Sequence, residues 1–140
     1  MTRDEIVAMF DRRLAAYDRY DAVTLSADYA ADCVIESPSG GTHRGPAAAE
    51  QVLRHVFDAL EVKLSRQSVL IDGNSVAEVY GIVGHDTGRF LGLPPTGKAF
   101  QVSGVFLYDL ADGRIVRERR IYDFTAILVQ TGLLKAKPVG

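Results

Sequence analysis

GHDTGRFLGLPPTGKAF (84–100), QVSGVFLYDLADGRIVRERRIYDF (101–124) and TAILVQTG (125–132) follow one another without a break. They read as a loop punctuated by glycine and proline, two long strands joined by a tight turn, and a short closing helix. Phe100, Val102, Phe106, Tyr108 and Leu110 alternate along one face of the first strand, with Gly104 breaking the row. Asp112-Gly113 is a strong hairpin signal, because the favoured two-residue turns need positive φ. RIVRERRIYD is then the returning last strand, and Thr125 to Thr131 is a helix ended by Gly132.

Working upstream, the same period of two continues. From Val62, KLSRQSVLI is a strand, Asp72-Gly73-Asn74 a hairpin turn, and SVAEVYGIVGH the return. Before Val62 the period is helical. Thr2 with Glu5 forms a capping box, and Ile6, Phe10, Leu14 and Tyr17 recur at helical spacing over residues 2 to 19. Asp21 caps a short second helix with Ala22, Leu25 and Tyr29 on one face. CVIES (33–37) is a short strand ended by Pro38 to Gly41, and Gly45-Pro46 opens a third helix whose stripe is Ala49, Val52, Val56 and Leu60. Helices first, then strands joined by hairpins, predict an α+β fold with helices on one face of a sheet. Gly81, Gly84 and Gly104 inside strand patterns predict curvature. A curved antiparallel sheet covered by N-terminal helices makes a cone with an apolar interior, suited to a small molecule.

Size and composition bound the rest. At 140 residues the chain fits a single domain over 1–140, and 47% apolar with 24% charged residues is an ordinary globular balance. A net charge of −2 argues against nucleic acid as a partner. The single Cys33 has no internal disulfide partner and reads as a buried strand thiol. MTRDEIVAMFDRR lacks the apolar core of a signal peptide, and no apolar run approaches the ~20 residues of a membrane span. The expectation is a cytoplasmic protein with no membrane partner.

Asp123 is the leading chemical candidate. It follows Ile121-Tyr122 and precedes Phe124, so desolvation by these neighbours would raise its pKa toward useful acid–base chemistry. The alternative is a helix N-cap, since the closing helix starts there. Strict alternation puts Arg117, Arg119, Ile121 and Asp123 on one side of the last strand, and Arg114, Val116, Glu118, Arg120 and Tyr122 on the other. If Asp123 faces the cone, Arg119 would share its cavity and bind an anion or enolate. Otherwise these arginines are a solvated rim or dimer face. His85 and Asp86 end a strand and point to opposite faces, so one of them would line the entrance. His43 and His55 read as surface or rim residues, and three scattered histidines give no metal site. Among the aromatic residues, Tyr17, Tyr80, Phe106 and Tyr122 are candidates to contact substrate, although Tyr17, Tyr29, Tyr80, Tyr108 and Tyr122 all carry spacings that also suit core packing. The prolines of GRFLGLPPTG deny it the N–H groups of a phosphate cradle, and no GxSxG elbow occurs.

GHDTGRFLGLPPTGK (84–98), DGRIVRERRIYD (112–123) and DFTAILVQTG (123–132) resemble the SnoaL-like polyketide cyclases, also called ester cyclase-like proteins, of the nuclear-transport-factor-two-like superfamily. The likeness extends to the helix–helix–strand–helix opening. It implies a cone-shaped α+β barrel, usually dimeric, working without a cofactor. It also implies that Asp123, at the position of the cyclases' terminal-strand aspartate, is the acid/base of an aldol closure. This chain departs from its relatives in two places. Asp86 stands where they often carry a histidine, with His85 one residue earlier. Arg117, Glu118 and Arg119 stand where they often have glutamate–histidine–tryptophan. Sister activities fit less well. Ketosteroid isomerases place an aspartate before a proline on the first strand, where this chain has Ser37 before Pro38, and a tyrosine where it has Arg13 or Leu14. Limonene-type epoxide hydrolases use an arginine–x–aspartate on the strand VAEVYGIV and an aspartate near position 120, where this chain has Glu78 and Arg120.

The expected function is a cofactor-independent cyclase, isomerase or lyase acting on a small apolar carbonyl compound. Asp123 would move the proton, and Arg119, Tyr17 or Tyr80 would steady the oxyanion. Two alternatives stand beside it: a non-catalytic ligand-binding or dimerisation module, and an epoxide or lactone hydrolase using Asp86 with Asp123.

Overall fold

A computed structural model describes residues 1–136. The chain runs α1 (Arg3–Asp18), α2 (Ala22–Ser26), β1 (Tyr29–Ser37), β2 (Gly41–Arg44), α3 (Pro46–Leu60), β3 (Lys63–Asp72), β4 (Ser75–His85), β5 (Ala99–Ala111), β6 (Arg114–Tyr122) and α4 (Phe124–Gln130), with one 3₁₀ turn at Phe90–Gly92. The sheet order is β2-β1-β6-β5-β4-β3. Neighbours are antiparallel throughout, except that β1 lies parallel to β6. That parallel step is what α3 and the long β3–β5 meander make possible. Hairpin signals cannot show a pairing between distant segments.

The capping box at Thr2 and Glu5 is present, and α1 buries Ile6, Met9, Phe10, Arg13, Ala16 and Tyr17. α3 begins with Pro46 and buries Ala49, Leu53, Phe57, Ala59 and Leu60, so its stripe runs one position on from Val52 and Val56. β1 starts at Tyr29 rather than Cys33, and Gly41–Arg44, between the turn that ends it and α3, is a further four-residue strand, β2, that the sequence pattern does not predict. Residues with little β-propensity (Gly41 and Arg44) concealed it; its pairing with β1 decides the structure there.

Helices α1 to α3 cover the concave face of the sheet, and α4 closes one end. Gly84 is required by this closure: a Cβ there would lie 2.6 Å from the Leu60 carbonyl and 2.7 Å from the Phe100 ring. The core joins Phe10, Leu25, Tyr29, Leu53, Phe106 and Ile115 into one continuous apolar cluster. Cys33 is buried within it. No helix among the described residues is long and apolar enough to cross a membrane.

Candidate active site

The orientation of β6 decides which of its charges reach the interior. Asp109 pairs with Arg117 but Leu110 pairs with Ile115, so Val116 is an extra residue, a bulge. Below the bulge Ile115 points inward. Above it Glu118, Arg120 and Tyr122 do, while Arg117, Arg119 and Ile121 face out. Phe106 lies directly opposite Arg120 across the β5–β6 ladder.

The inward charges form a largely buried network. Arg120 Nε donates to Glu118 Oε1 at 2.9 Å. The Tyr29 hydroxyl donates to Glu118 Oε2. Arg13 donates to Tyr29 Oη at 3.2 Å, to the Leu25 carbonyl at 2.9 Å and to Asp28 Oδ2 at 3.0 Å. Burial alone would push the Glu118 carboxyl up, but the charges of Arg120 and Arg13 and the Tyr29 bond hold it below the usual range. Burial works against the Arg120 charge, yet Glu118 keeps it protonated. The Tyr17 phenol is pushed up by burial, with Arg120 partly opposing the shift. A separate cluster ties α1 to β3 and β4: Arg66 pairs with Asp11 and, at 3.3 Å, with Glu78. Burial raises the Glu78 carboxyl despite Arg66.

Arg120 opens onto a cavity. An inner hollow of about 50 Å³ is lined by Tyr17, Val56, Leu60, Leu64, Ile82, Phe90, Phe100, Phe106, Arg120, Tyr122 and Ile127, with Ser39 at its edge. An outer vestibule of about 270 Å³ shares Ser39, Val56, Phe90, Arg120 and Tyr122 with it, and adds Ser37, His43, Gln51, His55 and Leu91. Ser39 Oγ and Tyr122 Oη are hydrogen-bonded at 2.6 Å where the two spaces meet. The guanidinium lies 5.0 Å from the Phe106 ring centroid, stacked as a cation over an aromatic face. The result is a fixed cationic donor at the junction of a narrow aromatic hollow and a wider mouth.

Of the residues singled out from sequence, Tyr17, Phe106 and Tyr122 meet in the hollow. Tyr80 lies behind Phe106, its ring 5.2 Å away. Four others are placed elsewhere. Asp123 is exposed and caps α4, its Oδ1 accepting from the Ala126 N–H at 2.9 Å. It borders an open groove with Gln67, Gln101 and Gln130, away from the hollow. The dry setting expected for it is therefore not found, because Ile121 faces outward with it. Arg119 is exposed on the outer face, 4.0 Å from Glu36. His85 is exposed. Asp86 is 1% exposed but serves its own loop: Oδ2 accepts from the Thr96 N–H and hydroxyl, each at 3.0 Å. Neither His85 nor Asp86 borders the hollow or the vestibule.

Sequence reasoning passed over Arg120, Glu118 and Ser39. A signal was present in α1: Arg13 falls in the stripe Ile6, Met9, Phe10, Arg13, Tyr17. A cation at a core position demands a buried carboxylate partner, and the Glu118-x-Arg120 repeat is where one was available. Among the described residues, no group of three or more His, Cys, Asp or Glu side chains gathers in metal-binding range.

An α+β cone whose concave face carries one hollow, closed by an N-terminal helical layer and a C-terminal helix, defines a nuclear-transport-factor-two-like protein. The family model for SnoaL-like polyketide cyclases matches residues 8–131, and the chain belongs to that family. Nogalonic acid methyl ester cyclase of Streptomyces nogalater is 32% identical over 94 residues, which are 66% of this chain and 70% of that protein. Among solved structures, one from Jannaschia sp. CCS1, described as a SnoaL-like polyketide cyclase, superposes with a TM-score of 0.85 at 20% identity, covering 99% of this chain and 98% of that one. An NTF2-like protein of unknown function from Burkholderia pseudomallei superposes with a TM-score of 0.80 at 16% identity, covering 94% and 98%. At these identities the structures speak for the fold alone.

Proposed function

We propose that the protein is an acid/base enzyme of the cyclase or isomerase type, acting on a small, largely apolar carbonyl compound without a cofactor. The observation that carries this reading is Arg120: a buried guanidinium, oriented by Glu118, at the throat of an aromatic hollow beside Tyr17. Removing a proton beside a carbonyl puts negative charge on the carbonyl oxygen. A preorganised donor in a site with little water stabilises that charge far better than water does. The matching family and the 32% identical ester cyclase support chemistry of this kind. Tyr17 is the second donor to the same oxygen, its high pKa keeping the phenol protonated.

The test is exchange of the α-protons of 1-indanone, a small aromatic ketone, followed by ¹H NMR in D₂O. The wild type is expected to accelerate exchange over buffer. Arg120→Met should lower the rate by about 10²–10³-fold, the loss typical of removing an oxyanion donor, and Arg120→Lys should recover only part of it. An Arg120→Met variant as fast as the wild type would sink the reading.

The cap geometry of Asp123 favours a second reading, in which the hollow binds a ligand without turning it over. It predicts saturable binding of 1-indanone with no exchange above buffer. The outer face of the sheet suggests a homodimer, as Leu70, Leu107 and Ile121 are exposed there and an open groove of about 520 Å³ runs past Leu70, Leu107, Arg117 and Arg119. Leu107→Glu should shift a dimer to monomer in sedimentation.

A further inference from the structure

An enolising site needs a proton acceptor, and Asp123 is on the wrong side of the sheet. Among the described residues no carboxylate lines either the hollow or the vestibule; the titratable side chains there are Tyr17, Tyr122, Arg120, His43 and His55. Arginine and neutral phenols do not take protons near neutrality, which leaves the two histidines.

Geometry separates them. His55 is exposed on α3. His43 is half-buried on β2, opposite the buried Ile35, which in turn lies beside Glu118. His43, Ile35 and Glu118 thus form a row across the concave face of neighbouring strands, on the face that carries Arg120. The ring is also oriented. His43 Nε2 lies 2.8 Å from the Gly40 carbonyl oxygen. A carbonyl only accepts, so Nε2 carries the hydrogen, and in the neutral ring the lone pair belongs to Nδ1. The tight hairpin Pro38–Gly41 builds this contact: an added Cβ at Gly40 would come within 3.2 Å of His43 Nε2. The same hairpin supplies Ser39 to the throat.

We propose that His43 Nδ1 is the general base of this site, removing a proton from the carbon next to a neutral ketone or ester whose oxygen is held by Arg120. The C–H bond breaks, its electron pair forms the enolate C=C, and the carbonyl oxygen takes the negative charge against the guanidinium. The imidazolium then returns its proton to carbon in an isomerisation, or to the alkoxide formed when the enolate carbon attacks a second carbonyl. The substrate class is an enolisable neutral carbonyl compound, with its reacting end in the throat and the remainder in the vestibule. This rests on the enzyme reading above, which it supplies with a base.

The same exchange assay tests it. His43→Ala and His43→Gln should each lower 1-indanone exchange at least ~10²-fold, the contribution typical of a general base. Added imidazole should restore part of the His43→Ala rate and none of the Arg120→Met loss. ¹⁵N NMR of the wild type should show the Nε2–H tautomer of His43. Full exchange in either folded His43 variant, loss confined to His55→Ala, or an Nδ1–H tautomer overturns the base assignment and leaves the Arg120 reading standing. A wild type no faster than buffer overturns both.

Discussion

Glu118 and Arg120 stand two residues apart on the concave side of β6, and Arg120 Nε donates to Glu118 Oε1 at 2.9 Å, with Glu118 wholly buried and Arg120 reaching solvent only through the cavity. A buried ion pair of this kind is weak evidence for stability, because desolvation offsets most of the attraction. Its effect is to fix the guanidinium. Glu118 is itself held from the other side by Tyr29 and Arg13, so the direction of Arg120 is set by contacts reaching back to α1.

Removing one partner should therefore cost much more than removing both. Glu118→Gln leaves a buried guanidinium without its counter-charge and is expected to destabilise the fold by about 3–5 kcal/mol. Adding Arg120→Met should recover a large part of that loss. Urea unfolding of the two single variants and the double variant gives the coupling directly.

Two of the buried carboxylates, Glu118 and Glu78, should titrate stability in opposite directions. Glu118 is held below its ordinary range by Arg120 and Arg13 against burial, so it contributes stability that is full above the unfolded-state value and is lost as pH falls through the folded-state value. Glu78 is raised by burial, so stability falls as pH climbs from the unfolded value to the raised one. Unfolding midpoints from about pH 3 to pH 7 bracket the ordinary carboxylate value near 4. Glu118→Gln should flatten the acid side of the wild-type curve. Glu78→Gln should remove the decline that sets in above it.

The loop from Asp86 to Gly97 should behave as a docked wall of the cavity. Thr87 and Gly88 N–H groups both donate to the Ala59 carbonyl, at 3.1 and 3.0 Å, and Asp86 clamps Thr96 at the other end. A Cβ at Gly88 would fall 2.5 Å from Ala59 Cα, so Gly88→Ala must push the loop off α3. Asp86→Ala removes both bonds to the exposed Thr96, at a cost of about 0.5–1.5 kcal/mol each. Either change should free Phe90 from the hollow, and faster trypsin cleavage after the exposed Arg89 reports it.

The sequence was most informative where pattern is local. Periods of 3.6 and 2, the Asp-Gly turn, the Thr2–Glu5 box and Gly132 located nearly every element, because each is decided within a few residues. Facing on β6 was not local. One bulged residue, Val116, reverses the alternation, so Ile115 and Glu118 share a face that strict counting assigns to different sides. The β1–β6 parallel pairing joins segments some eighty residues apart and leaves no mark in either. The site was half legible: Tyr17, Phe106 and Tyr122 follow from their spacing, whereas Arg120 looked like one more surface arginine in RERR. Only Arg13 in an apolar stripe pointed to a charged interior.

Asp123 gives the sharpest contrast between the family's expectation and this geometry. As a cap, it satisfies the Ala126 N–H, and any side chain able to do the same should serve. Asp123→Asn and Asp123→Ser should then retain stability to within a few tenths of a kcal/mol, whereas Asp123→Ala should lose about 0.5–2 kcal/mol. Turnover per folded molecule should be unchanged in all three, because the carboxylate lies outside the hollow. An acid/base aspartate would behave in the opposite way: Asn keeps the cap and loses the proton transfer. Thermal unfolding of Asp123→Asn beside its 1-indanone exchange rate separates the roles in a single variant. Intact stability with exchange lowered a hundredfold or more would return Asp123 to the chemistry, and would require α4 to unwind by a turn when substrate binds.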